Sequence, residues 1–146
     1  MPGKMLKGLL LFCGFTLCSP VMATVAEQQW DAWYGNISGM EFEINTQNTA
    51  GEVLTLTCGN GKLAVSYSVP AEDYRVSSTT GLAEPGLKIN GKGYPLEEAA
   101  FTALKNAGGE GKIAVTSMNA AISKKFSAKG LTQSIADISW QDCINH

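Results

Sequence analysis

Residues 53–69 read VLTLTCGNGKLAVSYSV, and this stretch decides the fold. Leu54, Leu56 and Cys58 alternate with other residues up to the glycines of Gly-Asn-Gly, and the alternation resumes in residues 62–69. A period of two is typical of strands with one buried face, and the glycine-flanked asparagine is a strong signal for a hairpin turn. The stretch therefore predicts an antiparallel hairpin.

Further strands are predicted on both sides of this hairpin. Residues 37–44 alternate, with Met40, Phe42 and Ile44 on the face that we expect to be buried. The residues before this strand, 27–34, are interpreted as an aromatic-rich entry segment, Gly35 and Asn36 as a turn, and the residues between 70 and 86 as a loop. Downstream, residues 87–96 predict a second and shorter hairpin, and residues 112–118 and 122–128 predict a pair of strands.

Two short helices complete the prediction. Residues 97–107 place Phe101 and Leu104 three positions apart on one face, and the glycines at 108 and 109 end the pattern. Residues 130–138 carry Leu131, Ile135 and Ile138 at helical spacing. The sequence thus predicts a mainly β fold, a β-sandwich or small barrel with two short α-helices. A sandwich is favoured because hairpins predominate.

The beginning of the chain predicts a secretory signal peptide. Two lysines precede an apolar stretch of about ten residues, and small residues then allow cleavage after Ala23 or Ala26. We therefore expect a leader of residues 1–23 and a single β-rich domain of residues 24–146. The alternative is an uncleaved tethering helix. No later apolar run approaches the ~20 residues of a spanning helix, so no membrane span is expected after cleavage. The expected location is the bacterial periplasm or the exterior of the cell.

Cleavage would remove two of the four cysteines and leave Cys58 and Cys143. Two cysteines in an exported chain allow only one connectivity and predict a disulfide. A closed loop of this length stabilises a domain by roughly 4–5 kcal/mol in the chain-entropy model. The alternative, a reactive thiol pair, lacks the C-x-x-C spacing that lowers a thiol pKa.

The charges limit the classes of partner. Residues 24–146 contain nine lysines and arginines against thirteen aspartates and glutamates, a net charge of −4. With the basic residues scattered along the sequence, this acidity argues against nucleic acid and against a polybasic contact with a membrane surface.

No pattern of residues predicts catalysis, a metal site or a cofactor. The single histidine, His146, is the terminal residue, where a held catalytic geometry is not expected. The chain has no G-x-S-x-G elbow, no calcium loop and no phosphate-binding loop. Glu41 and Glu43 share a strand face and offer a carboxylate pair, but a solvated strand face is the favoured interpretation. We therefore predict a protein that is not an enzyme.

Two groups of residues are candidates for an interaction surface with another protein. Trp30, Trp33 and Tyr34 cluster before the first predicted strand, and tryptophan and tyrosine are common anchors at interfaces. Tyr74 and Arg75 flank a polar loop at residues 77–81, and loops on a rigid scaffold often carry function. The alternatives are that the aromatic residues cover one end of the sandwich and that the loop is a solvated connection.

The last third of the chain resembles a known family. Residues 101–108 (FTALKNAG), a strand at 112–118 and residues 126–136 (FSAKGLTQSIA) resemble the C-terminal half of the invasion-associated locus B family. The early Trp-x-x-x-Cys pattern and the second cysteine pair of that family are not matched. The resemblance implies an exported, disulfide-bearing β domain that takes part in host contact or envelope processes, and a similar plan occurs in small exported proteins associated with type VI secretion.

The function predicted from these observations is that of an exported, non-catalytic interaction protein of the bacterial envelope, associated with virulence or secretion. The alternative is a periplasmic inhibitor or immunity protein that blocks a cell-wall-degrading enzyme. Small size, acidity, a disulfide and an exposed loop suit that alternative.

Overall fold

The computed structural model describes residues 27–39 and 41–145. The predicted leader of residues 1–23, together with Met40 and His146, lies outside the described residues. The predicted mainly β fold is confirmed: the described chain forms two antiparallel sheets and three short helices.

The first sheet is a six-stranded meander in which each strand pairs with the next strand in the chain. Its strands are Gln28–Trp30 (β1), Trp33–Ser38 (β2), Glu41–Gln47 (β3), Val53–Gly59 (β4), Lys62–Val69 (β5) and Tyr74–Ser77 (β6).

The predicted central hairpin is β4 and β5. Gly59 pairs with Lys62, so the turn consists of Asn60 and Gly61, whose φ angles are 54° and 82°. Two positive φ angles at the centre of a two-residue turn are the type I′ geometry that asparagine and glycine favour. Leu56 and Val65 face each other across this hairpin and are buried, as the alternation predicts.

The second sheet contains the strands Pro85–Ile89 (β7), Lys92–Pro95 (β8), Lys112–Ser117 (β9), Ala120–Ala121 (β10) and Phe126–Ser127 (β11). Strand β7 lies between β8 and β9, and the other side of β9 pairs with β10 and β11. The predicted second hairpin is therefore confirmed as β7 and β8. The predicted partner of β9 is present only as the two short strands β10 and β11.

The three helices are Glu98–Lys105 (α1), Leu131–Ser134 (α2) and Trp140–Ile144 (α3). Two of them were predicted from the sequence, although α2 is shorter than expected. Helix α3 begins with a capping box, in which the Ser139 hydroxyl accepts a hydrogen bond from the backbone N–H of Asp142 and the Asp142 carboxylate accepts one from the backbone of Ser139. This reciprocal pairing satisfies two N–H groups at the start of the helix.

The inward faces of both sheets and the helices share one hydrophobic core. Its fully buried side chains include Trp33, Ile44 and Leu56 from the first sheet and Ile113 from the second. The Cys58–Cys143 disulfide is present and joins β4 to α3, with 5.2 Å between the two Cα atoms. The C-terminal helix is thus fixed covalently to the first sheet.

The structure corrects the prediction for residues 27–44. In place of an entry segment and one strand, these residues form β1, β2 and the start of β3, and β2 pairs with β3. Gly35 lies inside β2 with φ +150°, and an added Cβ atom would lie 2.2 Å from the Glu43 carbonyl oxygen. The predicted turn at this glycine is therefore a place where two strand backbones approach each other closely. The inward positions of Phe42 and Ile44 are confirmed.

Residues 70–86 also contain more structure than predicted. A 3₁₀ turn at Pro70–Glu72 leads into the edge strand β6.

Among the described residues, no helix has both the length and the apolar character that a membrane span requires.

Candidate functional site

The predicted contact residues do not form one surface. Trp33 is fully buried in the core, where its indole N–H donates a 2.9 Å hydrogen bond to the Ser127 carbonyl oxygen. Trp33 is therefore corrected from a contact residue to a core residue. Trp30 is half-buried against the same core, and only Tyr34 lies on the opposite face of β2.

The second predicted pair lies at the other edge of the same sheet. Tyr74 and Arg75 are exposed on β6, four strands away from β2. Tyr74 is 47% exposed, and its ring packs edge-on against Tyr67 with 6.2 Å between the ring centroids. The two predicted groups are thus separated by the width of the sheet.

The most exposed large apolar side chains on the second sheet lie in a hairpin that sequence reasoning did not single out. Met118 is 63% exposed and Ile122 is 36% exposed. They lie on either side of β10, whose residues Ala120 and Ala121 are also exposed. We refer to Met118, Ala120, Ala121 and Ile122, with the adjacent exposed Ala83, as the turn patch.

The backbone at the tip of the turn patch has a conformation that methionine rarely adopts. Met118 and Asn119 have φ angles of 54° and 66°, in the left-handed region. Asparagine tolerates this region, but an unbranched apolar residue gains nothing from it and adds steric strain. Such strain persists only where the surrounding structure enforces it.

Hydrogen bonds to the loop before β7 enforce this conformation. The Met118 N–H donates to the Ala83 carbonyl oxygen at 3.0 Å. The Ser117 hydroxyl donates to the same oxygen at 2.7 Å, and the Ala83 N–H donates back to that hydroxyl at 3.2 Å. On the other side of the hairpin, the Ile122 N–H donates to the Val115 carbonyl oxygen at 2.8 Å. The turn patch is therefore held on both sides.

A polar cluster connects this hairpin to the first sheet. The Glu52 carboxylate accepts hydrogen bonds from the Tyr67 hydroxyl, from the Asn48 side chain at 2.8 Å and from the backbone N–H of Lys124 at 2.8 Å. Lys124 follows Ile122 by two residues, and Tyr67 contacts Tyr74. The cluster thus lies between the exposed Tyr74 on one sheet and the segment that follows the turn patch on the other.

The protonation of this cluster is fixed by its partners. Burial alone would raise the pKa of the Glu52 carboxyl, but the hydrogen bonds from Tyr67, Asn48 and Lys124 outweigh it and lower the pKa. Burial and the adjacent carboxylate raise the pKa of the Tyr67 phenol. Near neutral pH, Glu52 is therefore a carboxylate and Tyr67 its neutral donor.

A recess lies on the outer face of the first sheet. It has a volume of about 350 Å³, and its lining includes Glu41, Glu43, Asn36, Thr57 and Lys62. Glu41 and Glu43 are both exposed on β3, which confirms that they share the outer strand face. This recess offers carboxylate, amide and hydroxyl groups to a polar contact.

The described residues contain no group of three or more His, Cys, Asp and Glu side chains placed to hold a metal ion. Glu52 is poorly suited to donate a proton as a general acid, because its pKa is lowered and its oxygens already accept three hydrogen bonds.

Comparison with known proteins gave no relative. No family model, no curated protein and no solved structure matches the chain.

Proposed function

We propose that this chain is an exported, non-catalytic interaction protein of the bacterial envelope and that it binds another protein through the turn patch. The association with the envelope follows the family resemblance of residues 101–136 and the predicted leader. The disulfide between Cys58 and Cys143 supports an oxidising compartment.

The observation that carries the proposal is Met118. Its side chain is mostly in solvent, and its backbone is held in a conformation that asparagine or glycine would adopt with less strain. A large apolar side chain at such a position does not help the isolated domain to fold. It does supply a flexible and polarisable contact, the use that methionine has at many binding surfaces.

The hydrogen bonds around Met118 hold it in one conformation, which favours binding to another protein. The hydrogen bonds from the backbone of Met118 and from the Ser117 hydroxyl to Ala83 fix the turn before any partner arrives. A contact that is already ordered loses less conformational entropy on binding. A stable interface buries roughly 800 Å² on each partner, so the turn patch would form its apolar centre and the neighbouring polar residues its rim.

The absence of catalysis remains part of the proposal. It is supported by the engaged state of Glu52 and by the outward exposure of Glu41 and Glu43, which lie on an open sheet face where water is not excluded.

A second candidate function is inhibition of a cell-wall-degrading enzyme, and the shape of the turn patch favours it. A hairpin tip with an apolar side chain, rigidly hydrogen-bonded at its base, is suited to insertion into a cleft. Both functions use the same surface and differ in the identity of the partner.

The test is capture of partners from a periplasmic extract with the oxidised protein and two variants. Met118→Asn removes the apolar tip, and Gln133→Asn changes an exposed residue of α2 far along the chain from the turn patch. The proposal predicts a stoichiometric partner that binds the wild type and the Gln133 variant but not the Met118 variant. A captured hydrolase that loses its activity on binding would select the inhibitor function. Equal capture by all three proteins would refute the turn patch as the binding surface.

A further inference from the structure

Three lysines that are distant in the sequence meet on the outer face of the second sheet. Lys88 lies on β7, Lys112 on β9, and Lys125 directly precedes β11. All three are exposed, and all three line one groove of about 470 Å³. The fold thus brings together three lysines that are scattered along the sequence, and we refer to them as the lysine triad.

The register of the strands places the triad around one small residue. Lys88 pairs with Ala114 across β7 and β9, and Lys112 lies two positions before Ala114 on the same strand face. Lys125 lines the same groove from the other side of β9. Ala114 is itself 5% exposed, so its methyl group lies at the bottom of the groove, between the longer lysine side chains. Neighbouring strands lie about 4.8 Å apart, so three lysine side chains of this length can converge above that methyl group.

None of the three ammonium groups forms an ion pair with a carboxylate of residues 27–39 or 41–145. The chain is acidic overall, so a local excess of three positive charges marks this face as electrostatically distinct from the remainder of the surface.

The other groove residues narrow the chemistry of a ligand. The Asn90 side chain already has partners within the protein: it donates a hydrogen bond to the Ala107 carbonyl oxygen at 3.1 Å and accepts one from the Lys112 backbone N–H at 3.0 Å. The named lining contains no aromatic ring on which a sugar could stack. Recognition in this groove would therefore depend on the three ammonium groups.

We propose that the lysine triad binds a phosphoryl group, either a phosphate monoester or a pyrophosphate. Lysine acts as a point charge toward phosphate, and three of them around one depression match a compact group with two or more negative charges. An extended acidic peptide fits less well, since it presents one carboxylate every ~7 Å on a given face. This inference does not depend on the proposed function of the turn patch.

The first test is calorimetric titration of the oxidised protein with pyrophosphate at low salt. A dissociation constant of about 1 mM or lower is expected, weakening as salt is added. Replacing Lys88, Lys112 and Lys125 together by glutamine is expected to weaken binding at least about tenfold. The matched control replaces Lys62, Lys92 and Lys129 by glutamine, which removes three exposed lysines outside the groove and should leave binding unchanged.

A second arm identifies the source of the phosphoryl group. Vesicles of phosphatidylcholine with and without phosphatidic acid are sedimented with the wild type and with the triple variant. Binding that requires both phosphatidic acid and the triad would assign a lipid headgroup, whereas pyrophosphate binding without vesicle binding would assign a soluble ligand. The inference is overturned if the triple variant binds pyrophosphate as well as the wild type does, or if polyglutamate competes as strongly as pyrophosphate. Circular dichroism of the triple variant verifies that its fold is intact.

Discussion

Replacing Met118 by asparagine is expected to stabilise the protein slightly while it removes binding. The substitution keeps the turn, because asparagine is more often found at positive φ than other residues with a Cβ atom. It also keeps the backbone hydrogen bond from residue 118 to Ala83, since that bond does not involve the side chain. The variant therefore separates the apolar tip from the geometry of the hairpin.

The magnitude follows from two opposing effects. Holding a side chain with a Cβ atom in the left-handed region costs about 1–2 kcal/mol, most of which asparagine relieves. Met118 is 63% exposed, so the contacts it loses represent only about a third of the ~1.5–3 kcal/mol of a fully buried methionine. The net expectation is a gain of about 0.2–0.5 kcal/mol, or roughly 1–2 °C in Tm for a domain of this size.

Thermal and urea unfolding of the oxidised protein measure the stability, and capture from the periplasmic extract measures the binding. Met118→Leu is the matched control, because it keeps both the strain and the apolar surface and should leave both readouts near the wild-type values. A loss of more than about 1 kcal/mol in Met118→Asn would mean that the methionine supports the core. A stable Met118→Asn variant that still captures the partner would refute the assignment of the turn patch.

Four further perturbations test the scaffold. Tyr67→Phe removes one hydrogen bond to the Glu52 carboxylate and should lower the free energy of unfolding by about 1.5–3 kcal/mol, measured in urea. The folded pKa of Glu52 is lowered, so its ionised form stabilises the fold above the unfolded pKa near 4.5, and this stabilisation is lost as the pH falls below that value. The free energy of unfolding of Glu52→Gln should therefore not show this decrease in acid. Replacing Cys58 and Cys143 together by serine should cost up to about 4–5 kcal/mol in the urea assay, and an unchanged midpoint would show that the bridge adds nothing. Gly35→Ala forces a Cβ atom against a backbone carbonyl oxygen and should destabilise the domain by more than about 2 kcal/mol; wild-type stability would contradict that close approach.

The fold was predictable wherever the local pattern and the tertiary environment agree. The hairpin of β4 and β5 is defined by a period of two and by a turn whose residues tolerate positive φ, so both signals are local. Gly35 misled the prediction because a glycine signals either a turn or a close backbone approach. The Glu43 carbonyl oxygen that decides between these lies on the neighbouring strand.

The contact surfaces were harder to predict, for a physical reason. Trp33 has the composition of an interface anchor, but its position opposite Thr46 on an inward face places it in the core. From the sequence, Met118 is the last residue of a predicted strand. Its exposure and strain depend on the hydrogen bonds to Ala83, a residue more than thirty positions earlier in the chain.

The lysine triad illustrates the same limit for charge. Lys88, Lys112 and Lys125 are scattered in the sequence and become neighbours only through the pairing of β9 with β7 and β11. Composition gives the net charge of the chain, whereas the sheet register determines where that charge is concentrated.

The most direct test of the turn patch is photo-crosslinking in cells that export the protein. A photoreactive phenylalanine analogue at position 118 would report the groups that touch the tip of the hairpin, and the same analogue at the exposed residue Gln133 on α2 provides the control. We expect one discrete adduct with a single protein from position 118 and none from position 133. The absence of any adduct from position 118 in a folded, exported protein would contradict the assignment of this turn as a protein-binding surface.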